Sequence, residues 1–362
     1  MSQNNKTVVV GMSGGVDSAV SAYLLKEQGY KVIALFMKNW EESDENGICH
    51  AAADYEDVVA VCNKLQIPYY AVDFVKEYRE QVFAHFLAEY EKGLTPNPDV
   101  LCNREIKFKV FWDKARELGA DYLATGHYCQ LREKEGHIYL AKGADVNKDQ
   151  SYFLYMVKED VLKNVLFPVG NLTKPEVRKI AKKLDLANKD KKDSTGICFI
   201  GERNFREFLS KYIQASPGKF ETTDGVAVGN HLGCAFYTIG QRKGLGLGGP
   251  GEPWFVLEKD IARNVVIVGR GEEHPLLYSS ELVASEITWV SDNFRINYPY
   301  NCKAKIRYRQ ADQEAMIFSS FGDGQSLLIK FKNPQRAITL GQSVVLYDGE
   351  ICLGGGIITQ KL

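Results

Sequence analysis

No stretch of the chain approaches the ~18 consecutive apolar residues that a membrane-spanning helix requires, so no span is expected. The opening Met-Ser-Gln-Asn-Asn-Lys has no basic patch leading into an apolar run. That excludes a secretory signal and predicts a cytoplasmic protein. The 8 cysteines (residues 49, 62, 102, 129, 198, 234, 302 and 352) include no Cys-x-x-Cys. This argues against a zinc ribbon and against a secreted disulfide framework, and leaves reactivity as the use of a thiol here. None of the 6 histidines stands at metal-ligand spacing from a cysteine or an acid, so no protein-held metal is expected. Charge of one sign is also lacking: the net charge is −1, so nucleic-acid binding would have to use local patches. No internal repeat or low-complexity tract occurs. What remains, 45% hydrophobic and 25% charged over 362 residues, is a globular composition with core enough for two or three domains.

The richest stretch is Thr7-Val-Val-Val-Gly-Met-Ser-Gly-Gly-Val-Asp-Ser18. Thr7–Val10 reads as a buried strand, and a helix is expected from about Val16. Adjacent glycines at 14 and 15 permit positive φ and close approach to a ligand. The helix start offers unpaired N–H groups and a positive dipole end, which suit phosphate. Ser13 and Ser18 add hydroxyl donors. No Gly-Lys-Ser/Thr is present, so this is not a Walker A loop. Asp17 suits a site that holds pyrophosphate together with a metal.

Strand and helix alternate over the first 130 residues, with strands at Thr7–Val10, Lys31–Met37, Pro68–Asp73 and Asp121–Gly126. This predicts a doubly wound parallel sheet, α/β in class, with ligands at the carboxyl ends of its strands. Met37 and Gly126 then face the same crevice as the glycine turn. A helix over 75–93 is broken by Thr95-Pro-Asn-Pro98, and another is expected over 104–118. Residues 151–204 read as helix-rich. The pattern changes to short strands with turn glycines from about Pro217, and six strands in the last ~80 residues suggest a small barrel. The expected domains are 1–205, a small central one over 206–280, and an all-β barrel over 281–362.

Several stretches can carry chemistry. Cys102 lies in Asn97-Pro-Asp-Val-Leu-Cys-Asn103, a rigid turn running into a helix start, where a thiol is more readily ionised. Asp99 lies three residues earlier, placed to handle a proton. Cys198 lies between Gly196 and Gly201 in a loop of permissive backbone. Were both loops to edge one crevice, the two sulfurs could exchange a persulfide or a disulfide. Lys148, Asp149 and Gln150 head a polar-to-apolar segment; Lys148 and Gln150 could touch phosphate or a base, while Asp149 could equally cap a helix. Residues 174–192 carry eight Lys or Arg against three acids, a run read either as a solvated face or as a binding face. Lys303, Lys305, Arg307 and Arg309 recur at spacing two, so they are expected on one strand face, where a polyanion would relieve their repulsion. His127 reads as structural.

Together these motifs resemble a known family. Ser13-Gly-Gly-Val-Asp-Ser18 is similar to the PP-loop of ATP pyrophosphatases. Asn97-Pro-Asp99, Cys102-Asn103, Gly126-His-Tyr128, Lys148-Asp-Gln-Ser-Tyr-Phe-Leu154, Leu172-x-Lys-x-Glu-Val-Arg178, Gly196-Ile-Cys-Phe-Ile-Gly201 and Thr238-Ile-Gly-Gln-Arg-Lys-Gly244 resemble the bacterial tRNA-specific 2-thiouridylases. The resemblance implies ATP-dependent 2-thiolation of the wobble uridine in tRNAs for lysine, glutamate and glutamine. It implies that ATP binds at Gly11, Met12, Ser13, Gly14, Gly15, Val16, Asp17, Ser18, Met37 and Gly126, with Mg2+ accompanying it. Asn97, Pro98 and Asp99 would hold the target uridine, with Asp99 as acid or base. Cys198 would carry a persulfide, and Cys102 would be its partner thiol. Lys148, Asp149, Gln150, Arg307 and Tyr308 would contact the anticodon stem-loop. A sulfur-donor protein is the further partner expected of a monomeric enzyme. Two competing readings stay open on the residues alone: an ammonia-using PP-loop synthetase, which needs no cysteine pair, and a nucleotide-binding module without catalysis.

Overall fold

The computed structural model describes residues 5–41, 50–193, 205–294, 296–319 and 326–362. Its first layer is a five-stranded parallel sheet in the order Tyr69–Asp73, Lys31–Lys38, Thr7–Met12, Tyr122–Ala124, Val165–Leu166. The central strand explains itself. Val8, Val9 and Val10 are each fully buried, Val8 and Val10 in one apolar cluster and Val9 in the other, so helices must cover both faces. Burial of each such side chain is worth about 1.5–3 kcal/mol. The helices Val16–Glu27 and Lys174–Lys183 pack on one face, while Phe111 and Ala115 of the helix Phe111–Glu117 join the cluster on the other.

The helix carrying Cys102 begins earlier than the sequence reading placed it. It starts at Pro98, with Asn97 at the N-cap, and continues through a π-helical stretch, Cys102–Val110, into Phe111–Glu117. Proline breaks the helix before it but suits the first position of the next, where no N–H is needed. Residues 151–193 are less helical than expected: a 3-10 turn at Ser151–Phe153 and the helices Glu159–Leu162 and Lys174–Lys183 accompany the fifth sheet strand.

Four strands, Gly218–Glu221, Ala227–His231, Trp254–Asp260 and Val265–Arg270, form a separate central sheet. Six more, Tyr278–Trp289, Tyr300–Lys305, Gln313–Ser319, Leu327–Arg336, Ser343–Asp348 and Ile351–Lys361, form the barrel, which closes by pairing its first strand with its last. The sequence reading passed over a hairpin, Cys129–Lys134 with His137–Lys142. It joins the barrel sheet through Ile351 opposite Ala141 and ties the barrel to the nucleotide layer.

Glu159 fastens that junction. Its carboxylate accepts from Ser291 Oγ at 2.5 Å and from the Ile138 N–H at 3.2 Å, and lies 3.1 Å from His137 Nδ1. Burial alone would raise its pKa, but these bonds outweigh it and hold the carboxyl down to about 2. The stabilisation is therefore complete above the ordinary carboxylate range and fades as pH falls toward 2. Glu159→Gln is expected to flatten the acid limb of the thermal melting profile between about pH 4.5 and 2, measured against the parent.

Candidate active site

The turn after the first strand is built by its own hydroxyls. Ser18 Oγ donates to the Gly15 carbonyl at 3.1 Å and accepts from the Ser13 N–H at 3.3 Å. Only one of the two glycines needs positive φ. Gly14 sits at φ +74°, and a Cβ there would fall 2.7 Å from the Asp54 carbonyl oxygen. Gly15 is extended at φ −82° and is the N-cap of the helix Val16–Glu27, with no side chain capping it. The first-turn N–H groups are therefore left uncapped by any side chain, as a phosphate cradle requires. Gly11 and Met12 end the strand beneath, and Met12 pairs with Phe36, one place short of Met37 on the next strand. Gly126 closes the other side: a Cβ there would lie 2.9 Å from Ser18 N and 3.0 Å from the Asp17 carbonyl carbon.

Asp17, expected to serve a site for pyrophosphate and a metal, is engaged by two donors of the chain itself. Lys174 Nζ donates to its two oxygens at 2.7 and 2.8 Å, and Tyr128 OH donates to Oδ1 at 2.7 Å. Burial and then the Asp17 carboxylate push the Tyr128 phenol well above its ordinary pKa, so the hydroxyl stays a donor. Lys174 also reaches Asp193 Oδ1 at 2.8 Å. Asp193 takes Lys148 at 2.5 Å and Arg178 at 2.7 Å as well. Burial would raise Asp193, but hydrogen bonds from Lys148 and Lys174 pull it down to about 2. The basic run over 174–192 is thus partly turned inward, and Lys191 pairs with Asp54 and Asp57 at 2.6 and 2.5 Å. Asn188, 2% exposed, donates to the Gly14 carbonyl at 2.9 Å and leaves its own Oδ1 buried without a partner.

From Asp17 the contacts run on to the second half of the site. The Tyr128 N–H donates to Gln150 Oε1 at 3.0 Å. The next residues form the 3-10 turn, and Asn103 Nδ2 donates to the Phe153 carbonyl at 3.2 Å. Burial pushes the Tyr152 phenol well above its ordinary pKa, and Asn97 nearby tempers that rise. Tyr308 packs on Phe153 with ring centroids 4.5 Å apart, and the Arg309 guanidinium lies 5.4 Å from the Tyr308 ring. The nucleotide turn, the Asn97–Asn103 helix start and the Arg307–Arg309 turn thus meet on one segment, 145–153. The barrel pins the same region: Leu340 O accepts from the Thr95 N–H at 3.0 Å, Gln342 Nε2 donates to Thr95 O at 2.7 Å, and Ser343 O accepts from Tyr152 OH at 2.9 Å.

Other expectations change with the tertiary contacts. Asp149 is buried and caps the turn, accepting from the Gly143 and Ser151 N–H groups at 3.2 and 3.1 Å. The four-cation stripe is not one strand face. The strand ends at Lys305, Lys303 and Lys305 meet Glu314 and Asp149 at 3.4 Å each, and Arg307 and Arg309 stand exposed on the following turn. Repulsion between Lys303 and Lys305 is therefore relieved within the chain. Cys102 is 1% exposed, inside the helix and not on a turn before it. Cys198 and its loop lie outside the described residues. His127 is buried 2.7 Å from Thr125 Oγ1, and burial, with Lys107 nearby, pushes its pKa well down. The sequence reading missed Tyr128 and Lys174 as site residues, although both stand in motifs it singled out; it gave them no role because their partner, Asp17, is 111 and 157 positions away.

Fold and site together define a nucleotide-binding α/β enzyme with a central sheet domain and a closed β-barrel. Family models match throughout: a tRNA methyl transferase HUP domain over residues 6–202, a tRNA methyl transferase PRC-barrel domain over 206–270, and an aminomethyltransferase beta-barrel domain over 279–358. The tRNA-specific 2-thiouridylase MnmA of Protochlamydia amoebophila is 59% identical over 359 residues, which cover 99% of this chain and 94% of that one. Those of Oceanobacillus iheyensis and Bacillus subtilis are 57% and 56% identical, over 98% and 97% of this chain and 96% and 94% of theirs. The chain belongs to the tRNA-specific 2-thiouridylase family, the tRNA-uridine 2-sulfurtransferases. Among solved structures, a 4-thiouridine synthetase in complex with RNA and ATP aligns at 16% identity and a TM-score of 0.36, over 57% of this chain and 50% of that one, too slight a likeness to argue from. Among the described residues no helix is long and apolar enough to cross a membrane.

Proposed function

We propose that this enzyme thiolates the wobble uridine of tRNAs for lysine, glutamate and glutamine by adenylating the base and then substituting sulfur for oxygen. The observation that carries the reading is the convergence just described: Tyr128 touches Asp17 of the phosphate turn with its hydroxyl and Gln150 with its N–H, and the segment after Gln150 receives Asn103. ATP at Gly11–Ser18, Met37 and Gly126 would then lie beside a uridine held at Asn97–Asp99.

The steps balance. The uridine O2 attacks the ATP α-phosphorus and pyrophosphate leaves, while Asp99 takes or returns the base proton. The terminal sulfur of a Cys198 persulfide attacks C2, and AMP departs with the oxygen. The Cys102 thiolate attacks Cys198 Sγ, which breaks the S–S bond, frees 2-thiouridine and leaves a Cys102–Cys198 disulfide. A two-electron thiol reductant reopens the disulfide, and a sulfur-donor protein recharges Cys198. The exposed Arg307 and Arg309, with Tyr308 between them, supply cationic and stacking contacts for an anticodon loop. The protein is read as a cytoplasmic monomer.

Magnesium expected with ATP would be held mainly by phosphate oxygens and water, with Asp17 as the carboxylate nearest the turn. Both Asp17 oxygens are engaged, and among the described residues no group of three or more His, Cys, Asp and Glu side chains is placed to hold a metal ion. The mechanism above takes no step through it. Incubation of unmodified tRNA with the enzyme, ATP and a persulfide donor, followed by nucleoside mass spectrometry, should show 2-thiouridine with one AMP per sulfur. Thiolation without ATP would overturn the adenylation step, and 4-thiouridine in its place would overturn the assignment of the reacting carbon.

A further inference from the structure

We infer that Lys174 is a further catalytic residue, the cation that contacts the nucleotide's β- and γ-phosphates. The inference rests on the reading that Gly11–Ser18 holds ATP. Lys174 opens the helix Lys174–Lys183, where a capping box from Thr173 and Glu176 fixes the first turn and the Lys174 N–H donates to Asp145 Oδ2 at 2.8 Å. Its side chain is only 10% exposed, and its ammonium ends at the uncapped start of the helix Val16–Glu27. A second feature marks the same spot as built for a ligand: the buried Asn188 amide on the Gly14 carbonyl, whose Oδ1 has no partner.

Charge counting shows what the ammonium is for. Phosphate must settle on a helix end that carries the Asp17 carboxylate, and a bare carboxylate there would repel it. Lys174 cancels that charge. It can also let go of Asp193 without stranding that carboxylate. Asp193 holds three cations, Lys148, Lys174 and Arg178, so it keeps two when Lys174 turns away. Asp17 keeps Lys174 itself, together with the Tyr128 hydroxyl, when only the Asp193 contact is given up. Lys174 Nζ can therefore exchange Asp193 for a phosphate oxygen without leaving either carboxylate unpaired, so the swap escapes the usual penalty for an orphaned buried charge. The arrangement places the ammonium where pyrophosphate carries its charge as it leaves the α-phosphorus.

Calorimetric titration of inorganic pyrophosphate, ATP and AMP into the parent, Lys174→Met, Lys174→Arg and the double variant Asp17→Asn/Lys174→Met tests this. Lys174→Met is expected to weaken pyrophosphate and ATP roughly tenfold or more, the loss of one charged hydrogen bond, with AMP changed less than about twofold. Lys174→Arg should recover most of that loss, and the double variant should stay weak. Recovery in the double variant would mean that Lys174 only neutralises Asp17, and an equal fall for AMP would mean that it only holds the fold; either overturns the inference. Unchanged pyrophosphate affinity in Lys174→Met would overturn it too. A parent that binds neither ATP nor pyrophosphate would overturn the prior reading of the turn.

Discussion

Cys198→Ser is expected to abolish 2-thiouridine formation while pyrophosphate release from ATP continues. The two halves of the reaction use different groups, so losing the sulfur carrier should leave adenylation running. Serine cannot carry a persulfide, and its alkoxide is not accessible near neutral pH, so no slower version of the same route exists. Cys102→Ser should fail later. Without a thiolate to cleave the Cys198 S–S bond, and with no thiol added, tRNA should stay attached to the protein through a bond that dithiothreitol opens. Denaturing gels of labelled tRNA with and without dithiothreitol, run beside a pyrophosphate assay, separate the two variants. A Cys198→Ser enzyme that still yields 2-thiouridine would sink the persulfide mechanism; free, fully thiolated tRNA from Cys102→Ser without thiol would remove Cys102 from it. The burial of Cys102 at 1% exposure adds a related expectation, slow alkylation of this thiol in the absence of tRNA.

Gly126→Ala is expected to cost about a hundredfold in ATP-dependent turnover at subsaturating ATP, although it adds one methyl group. That methyl would lie 2.9 Å from Ser18 N and 3.0 Å from the Asp17 carbonyl carbon, both backbone atoms of the phosphate turn. Side chains can rotate away from such a contact, but a helix start cannot. The turn must shift by several tenths of an ångström, and its N–H groups then point off the phosphate. The stability cost should be modest, about 1–3 kcal/mol, as for other overpacked sites. Gly248→Ala is the control: nothing lies within 4 Å of the added carbon and its φ is ordinary, so turnover should not change. kcat/KM for ATP in the two variants decides the matter, and an active Gly126→Ala enzyme would mean that the crevice does not depend on this close approach.

Much of the fold was legible before any coordinates. The valine run at 8–10 demands burial on both faces, and alternation in the last ~80 residues marks six strands that do close into a barrel. The hairpin over 129–142 escaped notice because its strands are half polar and belong to a sheet whose other members lie about 140 residues on. The helix start at Pro98 is hard to read in the sequence because proline both breaks the helix before it and suits the first position of the one after.

By itself the sequence determined the chemistry available: a strand-to-helix turn fit for phosphate, two cysteines in motifs of their own, and membership of a thiouridylase family. Tertiary structure alone decided how the charges are used. A count of lysines and aspartates reveals their number and sign, but Coulomb energy depends on separation, and Lys174 comes within 2.7 Å of Asp17 only after 157 residues of chain have folded between them. The same folding ends the strand at Lys305, sets Lys305 beside the buried Asp149, and leaves Lys303 sharing Glu314 with Lys332.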